Sequence, residues 1–386
     1  MSVETPTAVD RLIVHQFDPA RPSPGGIDTC LRGIARYAPR GQRLAVVGVD
    51  TGSGPSDREL GRWEQHKFGE NTIDFLPVVK IDPADQKRLV PHSLRLAAGL
   101  VRYLRRLPKT NIVQAHRMDT GLLLSSIMPS RKFVYYVHTQ ENGLTGKTSD
   151  SFWKRASRLH AGLERMTARK AEETVVFNEE YATVLASWTS GVRFSPTWFD
   201  PRLMRADPEK PQRNSICWVG RLEIPKDPSL ALSVVRELNT GGEEWKLDVV
   251  GSGTLHDSLK DELKSMPRSV AENVTLHGRV SPETTAELMK SSSVFLMTSH
   301  PGYEGYPRVL VEALASGLPA VVTEGSDTGA LVVDSRTGFV CNRDPKEIAS
   351  RILEAQSLDN EKIRASVTHL SAPQVVDALF AHGRRP

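Results

Sequence analysis

The chain has 386 residues, 39% hydrophobic and 25% charged, with a formal net charge of +4. That length exceeds one ordinary domain at roughly 150 residues each, and the composition is that of a soluble globular protein able to bury a sizeable core. No apolar run approaches the ~18 residues of a membrane span, and three scattered cysteines (Cys30, Cys217, Cys341) give neither a metal spacing nor a disulfide framework.

From the start of the chain, "MSVETPTAVD" has no basic stretch followed by an apolar run. No secretory signal is expected, and a reducing cytoplasm is the expected location. Strands are expected at 11–17, 43–49, 111–116, 132–138 and 174–177, with helices at Asp28–Tyr37, Pro91–Leu107 and Phe152–Ala171. The charged, Pro-rich stretch 199–215 lacks apolar periodicity and reads as a linker. Beyond it, strands are expected at 215–220, 245–251, 273–278, 294–299, 318–323 and 338–341. Helices should begin near Pro228, Thr254, Pro282, Tyr306 and Pro345. Near-continuous apolar strands alternating with helices indicate parallel sheets covered on both faces. The expected architecture is therefore α/β, with a domain over 1–205 and another over 206–372. A C-terminal helix at 373–386 is expected to pack back on the first domain. In such sheets ligands sit outside the carboxyl ends of the strands, so a cleft between the two domains is the expected site.

Five stretches carry candidate chemistry. In "PGYEGYPRVLVEALASGLPAVVT" (301–323), Pro307 suits a first helical turn and Gly317 a helix exit, giving a helix from about Tyr306 to Ser316. Its N-terminal N–H groups face Glu304 and Gly305, a seat for phosphate. Glu312 lies inside this almost wholly apolar helix, and a buried carboxylate needs a partner. An Arg308–Glu312 pair at i,i+4 is one explanation, but it leaves Glu304 unaccounted for. Two carboxylates accepting hydrogen bonds from vicinal hydroxyls of a sugar is the other. In "VGRLEIPKDP" (219–228), Arg221 and Lys226 follow a strand end and precede a helix that Asp227 can cap. Two cations at a helix start can hold a pyrophosphate. "PSPGGIDTC" (22–30) puts Gly25 and Gly26 between first strand and first helix, where backbone can approach a ligand. "YYVHTQEN" (135–142) ends a central strand on His138, with Thr139 and Glu141 beyond it, while His116, after the preceding strand, reads as structural. "VVGSGTLHDSL" (249–259) offers Gly251 and Gly253 but has His256 where a dinucleotide fingerprint needs its third glycine, which disfavours a nicotinamide dehydrogenase.

The Glu304-to-Glu312 stretch "EGYPRVLVE" and the following "ALASGLPAVVT" resemble the E-x7-E signature of retaining glycosyltransferases of family 4, which have the GT-B fold. That resemblance implies two Rossmann-like doubly wound domains facing a cleft. It implies that Glu304 contacts the donor sugar and Glu312 the ribose hydroxyls, with Gly305, Tyr306 and Pro307 joining the donor site. Arg221 and Lys226 would bind the donor diphosphate. Gly25 and Gly26 match the family's glycine loop and His138 a histidine that contacts the donor sugar. Gly251 and Gly253 would lie beside the nucleotide, and "LHGRVSP" (276–282), with Val280, would line the base. Departures occur at "EGSDTGALV" (324–332), where Gly-Gly followed by Glu is usual, and at "SPTWFD" (195–200), where an Asn-Gly turn is usual.

The implied reaction moves a hexosyl group from a UDP- or GDP-sugar to an acceptor hydroxyl with retention, in glycan, glycolipid or glycosylated-metabolite biosynthesis. His138, Arg221, Lys226 and Glu304 are the expected catalytic set. No D-x-D motif occurs, so no metal and no cofactor beyond the nucleotide sugar are expected. A sugar-nucleotide epimerase of the same fold and a non-catalytic sugar-nucleotide binder are the alternatives. Residues 1–200 hold 28 Lys/Arg against 21 Asp/Glu, and the remainder 22 against 25. The basic stretches 102–109 and 151–170 allow peripheral contact with an anionic membrane, the plainer reading being a solvated basic face. The acceptor is open among a sugar, a lipid-linked molecule and a small molecule; no nucleic acid is expected.

Overall fold

The computed structural model describes residues 6–22, 26–82, 90–138, 157–205, 213–240 and 243–381. Among these, residues up to 138, 157–195 and 376–381 form one compact unit and 196–375 a second. The expectations for Gly25, Thr139 and Glu141 lie outside the described residues.

The first unit is built on eight strands: β1 (Ala8–Val14), β2 (Leu44–Asp50), β3 (Glu64–Phe68), β4 (Asn71–Lys80), β5 (Lys109–Ala115), β6 (Lys132–Val137), β7 (Glu173–Val176) and β8 (Val192–Phe194). Their order is β3-β4-β2-β1-β5-β6-β7-β8, with only β3 antiparallel to its neighbour. Between them run α1 (Gly26–Tyr37), α2 (His92–Arg102), α3 (Met118–Ile127), α4 (Ser157–Lys170) and α5 (Glu179–Ala186). The central strands are buried along nearly their whole length, as both-face coverage requires.

Several expectations shift locally. The helix expected from Asp28 already begins at Gly26, and Asp28 sits in its first turn, paired with Arg32 at 2.7 Å. The helix expected to reach Leu107 ends at Arg102 and gives way to a single 3-10 turn at Leu104–Arg106. Helix α4 is described only from Ser157, so Phe152 and Trp153 lie outside the described residues. Its Glu164 turns inward, accepting from Tyr181 and, at 3.3 Å, from Tyr135.

The second unit holds β9 (Ser215–Val219), β10 (Lys246–Val250), β11 (Val274–Gly278), β12 (Val294–Met297), β13 (Ala320–Thr323) and β14 (Gly338–Cys341). The order is β11-β10-β9-β12-β13-β14, all parallel. Its helices are α6 (Pro228–Thr240), α7 (His256–Ser265), α8 (Arg268–Ala271), α9 (Pro282–Ser291), α10 (Arg308–Ala315), α11 (Pro345–Ala355) and α12 (Asn360–Ser366), together with the start of α13 (Ala372–Ala381), whose residues from 376 on belong to the first unit. The strand period of two sorts side chains to opposite faces. Ile216, Trp218, Leu247 and Val249 pack with Val234, Val235 and Ile352 on one side. Cys217, Phe295, Met297 and Val322 pack with Leu310, Leu314 and Ile363 on the other. Helices α9 and α11 open with one grammar: Ser281 or Asp344 accepts a backbone N–H of the first turn, and Pro282 or Pro345 follows at the first helical position.

The start of the stretch read as a linker is packed. Phe199 donates to Leu370 O at 3.2 Å and accepts from Ala372 N at 2.9 Å, and Phe199 and Met204 are buried in the second unit's core. Burying an aromatic ring and a thioether outweighs the local absence of periodicity. At the other end of α13, Arg193 donates to Leu379 O and Phe380 lies under Arg11, within the first unit. Among the described residues no helix is long and apolar enough to cross a membrane.

Candidate functional site

In the second sheet the chain runs from β9 outward to β10 and β11, then returns to the other side of β9 as β12. Strand order reverses between β9 and β12, and the crevice at their carboxyl ends is where such sheets bind ligands. The residues after these two strands meet there. Lys226, after β9, donates to Glu304, after β12, and the Ser299 hydroxyl donates to the same carboxylate oxygen at 2.6 Å. The two charged side chains are 12% and 10% exposed, so neither is an ordinary solvated surface group. Arg221 donates to the Tyr303 hydroxyl and pairs with Glu223 at 3.0 Å, and Lys226 Nζ lies 5.7 Å from the Tyr303 ring centroid. Burial pushes the Tyr303 phenol above its ordinary range, against the pull of Arg221. Arg221, Lys226, Tyr303 and Glu304 thus form one cluster, with Arg221 largely exposed and able to reach a ligand.

Backbone carbonyls beneath the cluster are held by a second set of residues. Trp218 Nε1 donates to the Thr298 hydroxyl at 2.9 Å, and that hydroxyl reaches the carbonyls of Lys226 and Asp227, each at 2.8 Å. Asp227 has a left-handed backbone (φ 44°), unusual for a residue with a side chain, and its carboxylate accepts from Leu230 N at the start of α6. Arg343, two residues past β14, pairs with Asp227 and donates to Thr298 O at 2.9 Å and Ser299 O at 3.0 Å. Arg343 was not anticipated from sequence, although it follows a strand's carboxyl end as Arg221 does.

Gly305, Tyr306 and Pro307 lead into α10, which begins at Arg308, two residues later than expected, because Pro307 keeps an extended ψ of 100°. Thr328 donates to Gly305 O, and Gly329 lies so close to the Tyr306 ring that a Cβ there would be 2.7 Å from it. The 324–332 stretch thereby takes up the support of this loop. Glu312 sits within α10, whose Leu310, Val311, Ala313, Leu314 and Ala315 are buried. Desolvation pushes its carboxyl up to about 7, eased by Arg308 and reinforced by Asp200. Arg308 lies over the Trp198 ring, 5.8 Å from its centroid, and the i,i+4 ion pair with Glu312 is not formed among the described residues.

Gly251 and Gly253 follow β10. A Cβ at Gly251 (φ 139°) would lie 1.8 Å from Gly220 O, and one at Gly253 2.3 Å from Leu222 O. Backbone packing alone therefore requires both glycines, whatever they bind. Val280 follows β11, the edge strand, and is partly exposed. Gly26 opens α1 and His138 follows β6, both in the first unit. There His116 Nδ1 lies 2.8 Å from His138 Nε2, so His116 is a direct partner of the predicted residue.

Residues 213–357 match the family model described as glycosyl transferases group 1. Over 148 residues, 37% of this chain, the sequence is 33% identical to EpsF of Bacillus subtilis, assigned as a glycosyltransferase. Over 154 residues, 40% of this chain, it is 30% identical to the amylovoran biosynthesis glycosyltransferase AmsD of Erwinia amylovora. These matches span only 36% and 41% of those relatives. The crystal structure of Anabaena Alr3699/HepE in complex with UDP and glucose superposes with a TM-score of 0.69 at 15% identity, covering 97% of this chain and 99% of that one. WaaG, a glycosyltransferase involved in lipopolysaccharide biosynthesis, gives 0.67 at 16% identity, covering 96% and 99%. The fold is that of the GT-B glycosyltransferases. The second unit carries a sequence segment of the glycosyl transferases group 1 type.

Proposed function

We propose that the protein transfers a hexosyl group from a nucleotide diphosphate sugar to an acceptor hydroxyl, with retention at the anomeric carbon. The observation that carries this reading is the convergence of Arg221, Lys226 and Glu304 at the strand-order reversal. Arg221 and Lys226 take the charge of the departing diphosphate, the main electrostatic need of the reaction, beside the start of α10. Glu304 accepts from a hydroxyl of the donor sugar while Ser299 and Lys226 hold its carboxylate. Glu312 accepts from the ribose diol, for which a carboxylate has two acceptor oxygens. His138 contributes a further contact to the donor sugar. No enzymic nucleophile is required if the acceptor attacks the same face and the leaving phosphate oxygen takes its proton. Residues on this chain meet the leaving group's charge, so no metal is assigned a step. The HepE complex with UDP and glucose supports a UDP-sugar as the first donor to test.

The test is a thermal-shift panel of UDP- and GDP-sugars followed by product analysis with acceptors. A ligand selective for the folded state raises apparent stability by about 2.7 kcal/mol at a hundredfold excess over its Kd. A shift with one nucleotide class, abolished in Lys226→Met, is the expected result. No shift with any UDP- or GDP-sugar overturns the reading. A shift without transfer to any acceptor, with or without epimerised donor, would favour the epimerase or the binding protein.

A further inference from the structure

Beneath the first sheet's carboxyl edge runs a chain of polar contacts that the sheet itself does not need. Arg11 on β1 is 2% exposed, Gln114 on β5 is fully buried and His116 is 3% exposed. Arg11 Nη1 donates to Gln114 Oε1 at 2.7 Å and to the Tyr136 hydroxyl at 3.3 Å, and the guanidinium lies 4.3 Å from the Phe380 ring centroid. No carboxylate pairs with Arg11 among the described residues, and burying an unpaired cation is costly. Its retention needs a reason beyond packing.

The direction of these bonds follows from donor and acceptor inventory. A guanidinium only donates, so the Gln114 oxygen faces Arg11 and its amide NH2 faces the other way. That NH2 is 2.7 Å from His116 Nε2, which must therefore accept. A neutral imidazole carries one proton, so the proton of His116 is on Nδ1. His116 Nδ1 is 2.8 Å from His138 Nε2, which accepts in turn. His138 is left with its proton on Nδ1. Strand register makes this possible: Gln114 on β5 and His116, the first residue past its end, are two apart and share a face, and Arg11 pairs with Ile112, two residues before Gln114 on that face. Burial independently holds His116 well below its ordinary pKa, reinforced by His138, His15 and Arg11, so an uncharged ring is the stable form.

We propose that Arg11, Gln114 and His116 form a directional relay that fixes His138 as the neutral, Nδ1-protonated tautomer, with Gln114 the positioning residue that sets its sense. On the proposed transferase reading, on which only this consequence rests, His138 then offers an N–H to an oxygen of the donor. The same geometry argues against a competing use. Cys30 Sγ and one ring nitrogen each of His116 and His138 lie within 4.8 Å of one another, a grouping zinc could use. A metal on His116 Nδ1 would move that ring's proton to Nε2, into the NH2 group that Arg11 prevents from turning.

The experiment is long-range proton–nitrogen correlation of the imidazole rings in 15N-labelled full-length protein at about pH 8 without donor, with His138→Asn for assignment. Wild type should show a pyrrole-type Nδ1 and a pyridine-type Nε2 at His138. Gln114→Glu places an acceptor-only group against His116 and should reverse both rings, giving His138 a pyridine-type Nδ1. An Nε2-protonated or mixed His138 in wild type overturns the relay, and that measurement stands even if the variant does not fold. So does an unchanged His138 in Gln114→Glu, or coordination of added zinc by His116. Reversal accompanied by loss of donor turnover supports both relay and reading. Reversal with turnover unchanged supports the relay and removes His138 from the donor site.

Discussion

Glu312→Gln is nearly isosteric; it removes the ability to ionise and turns one of the two acceptor oxygens into an NH2 donor. Burial raises the carboxyl from 4.5 to about 7, so the folded state binds its proton more tightly than the unfolded chain does. The sign follows from linkage: ionising this group disfavours the folded state, with no penalty below pH 4.5, a growing one up to 7 and a full one above. At 1.36 kcal/mol per pKa unit the full penalty is about 3 kcal/mol. The side chain keeps a partly exposed rim, and solvent screening lowers this to about 2 kcal/mol. The glutamine variant should therefore match wild type near pH 4 and exceed it by about 2 kcal/mol at pH 8. At 2–4 °C per kcal/mol for a domain of this size, the second unit's melting transition should rise by roughly 4–8 °C at pH 8. Calorimetric melts of both proteins across pH 4–8.5 measure this directly. A difference independent of pH, or a variant less stable at pH 8, would refute the reasoning. The same variant should lose most donor-induced stabilisation. A gain in bare stability coupled to a loss of ligand response is the signature of a group kept for binding at the expense of folding.

Three further outcomes follow from other positions. Gly251→Ala forces a Cβ to within 1.8 Å of Gly220 O at a φ of 139°, so urea denaturation should show a loss of about 3 kcal/mol or more, or no folded second unit; a loss below 0.5 kcal/mol would mean the turn relaxes freely. Lys226→Met leaves Glu304 held by Ser299 without its cation, costing about 2–3 kcal/mol by denaturation. Transfer should fall at least ~100-fold, and retained kcat would remove Lys226 from the leaving-group site. His15 is buried neutral with its pKa pushed down to about 3, chiefly by desolvation. Stability from this site is complete above 6.5 and drains as pH falls toward 3, by up to about 5 kcal/mol, so His15→Gln should flatten the acid limb of the first unit's stability curve.

The parallel sheets were legible because both-face burial writes strands as continuous apolar runs, and the helix starts because Pro and its capping neighbour are local signals. The β3–β4 hairpin was missed because β3, "EQHKF", is a polar edge strand whose only apolar burial is Phe68. Helix α3 was missed because it follows β5 almost without a loop. Of the candidate site, the residues just past strand ends were readable one at a time. Their pairing was not: Lys226 and Glu304 are 78 residues apart, and only strand order brings them together. Gln114 and Arg11 were invisible for a related reason. Each sits among other polar residues in its strand, Asp10 beside Arg11 and Thr110 and Asn111 before Gln114, so nothing local marks it; only the β1–β5 register puts Arg11 against Gln114 and joins them in one network.

The two units use one physical device in different chemistry. In the second, the conformationally costly left-handed Asp227 is held by Arg343, whose other donors grip the carbonyls of Thr298 and Ser299. The loop bearing Lys226 and the strand end leading to Ser299 and Glu304 are thereby tied to one guanidinium, and the cationic and anionic members of the cluster are positioned before any ligand arrives. In the first, Arg11 fixes an amide, the amide a tautomer, and the tautomer the proton of His138. In both, an arginine with fixed donor geometry sits behind the groups that would meet the ligand, converting burial cost into orientation. A solvated lysine in either place would supply the charge without the fork, and the orientation of Asp227 or Gln114 would no longer be dictated.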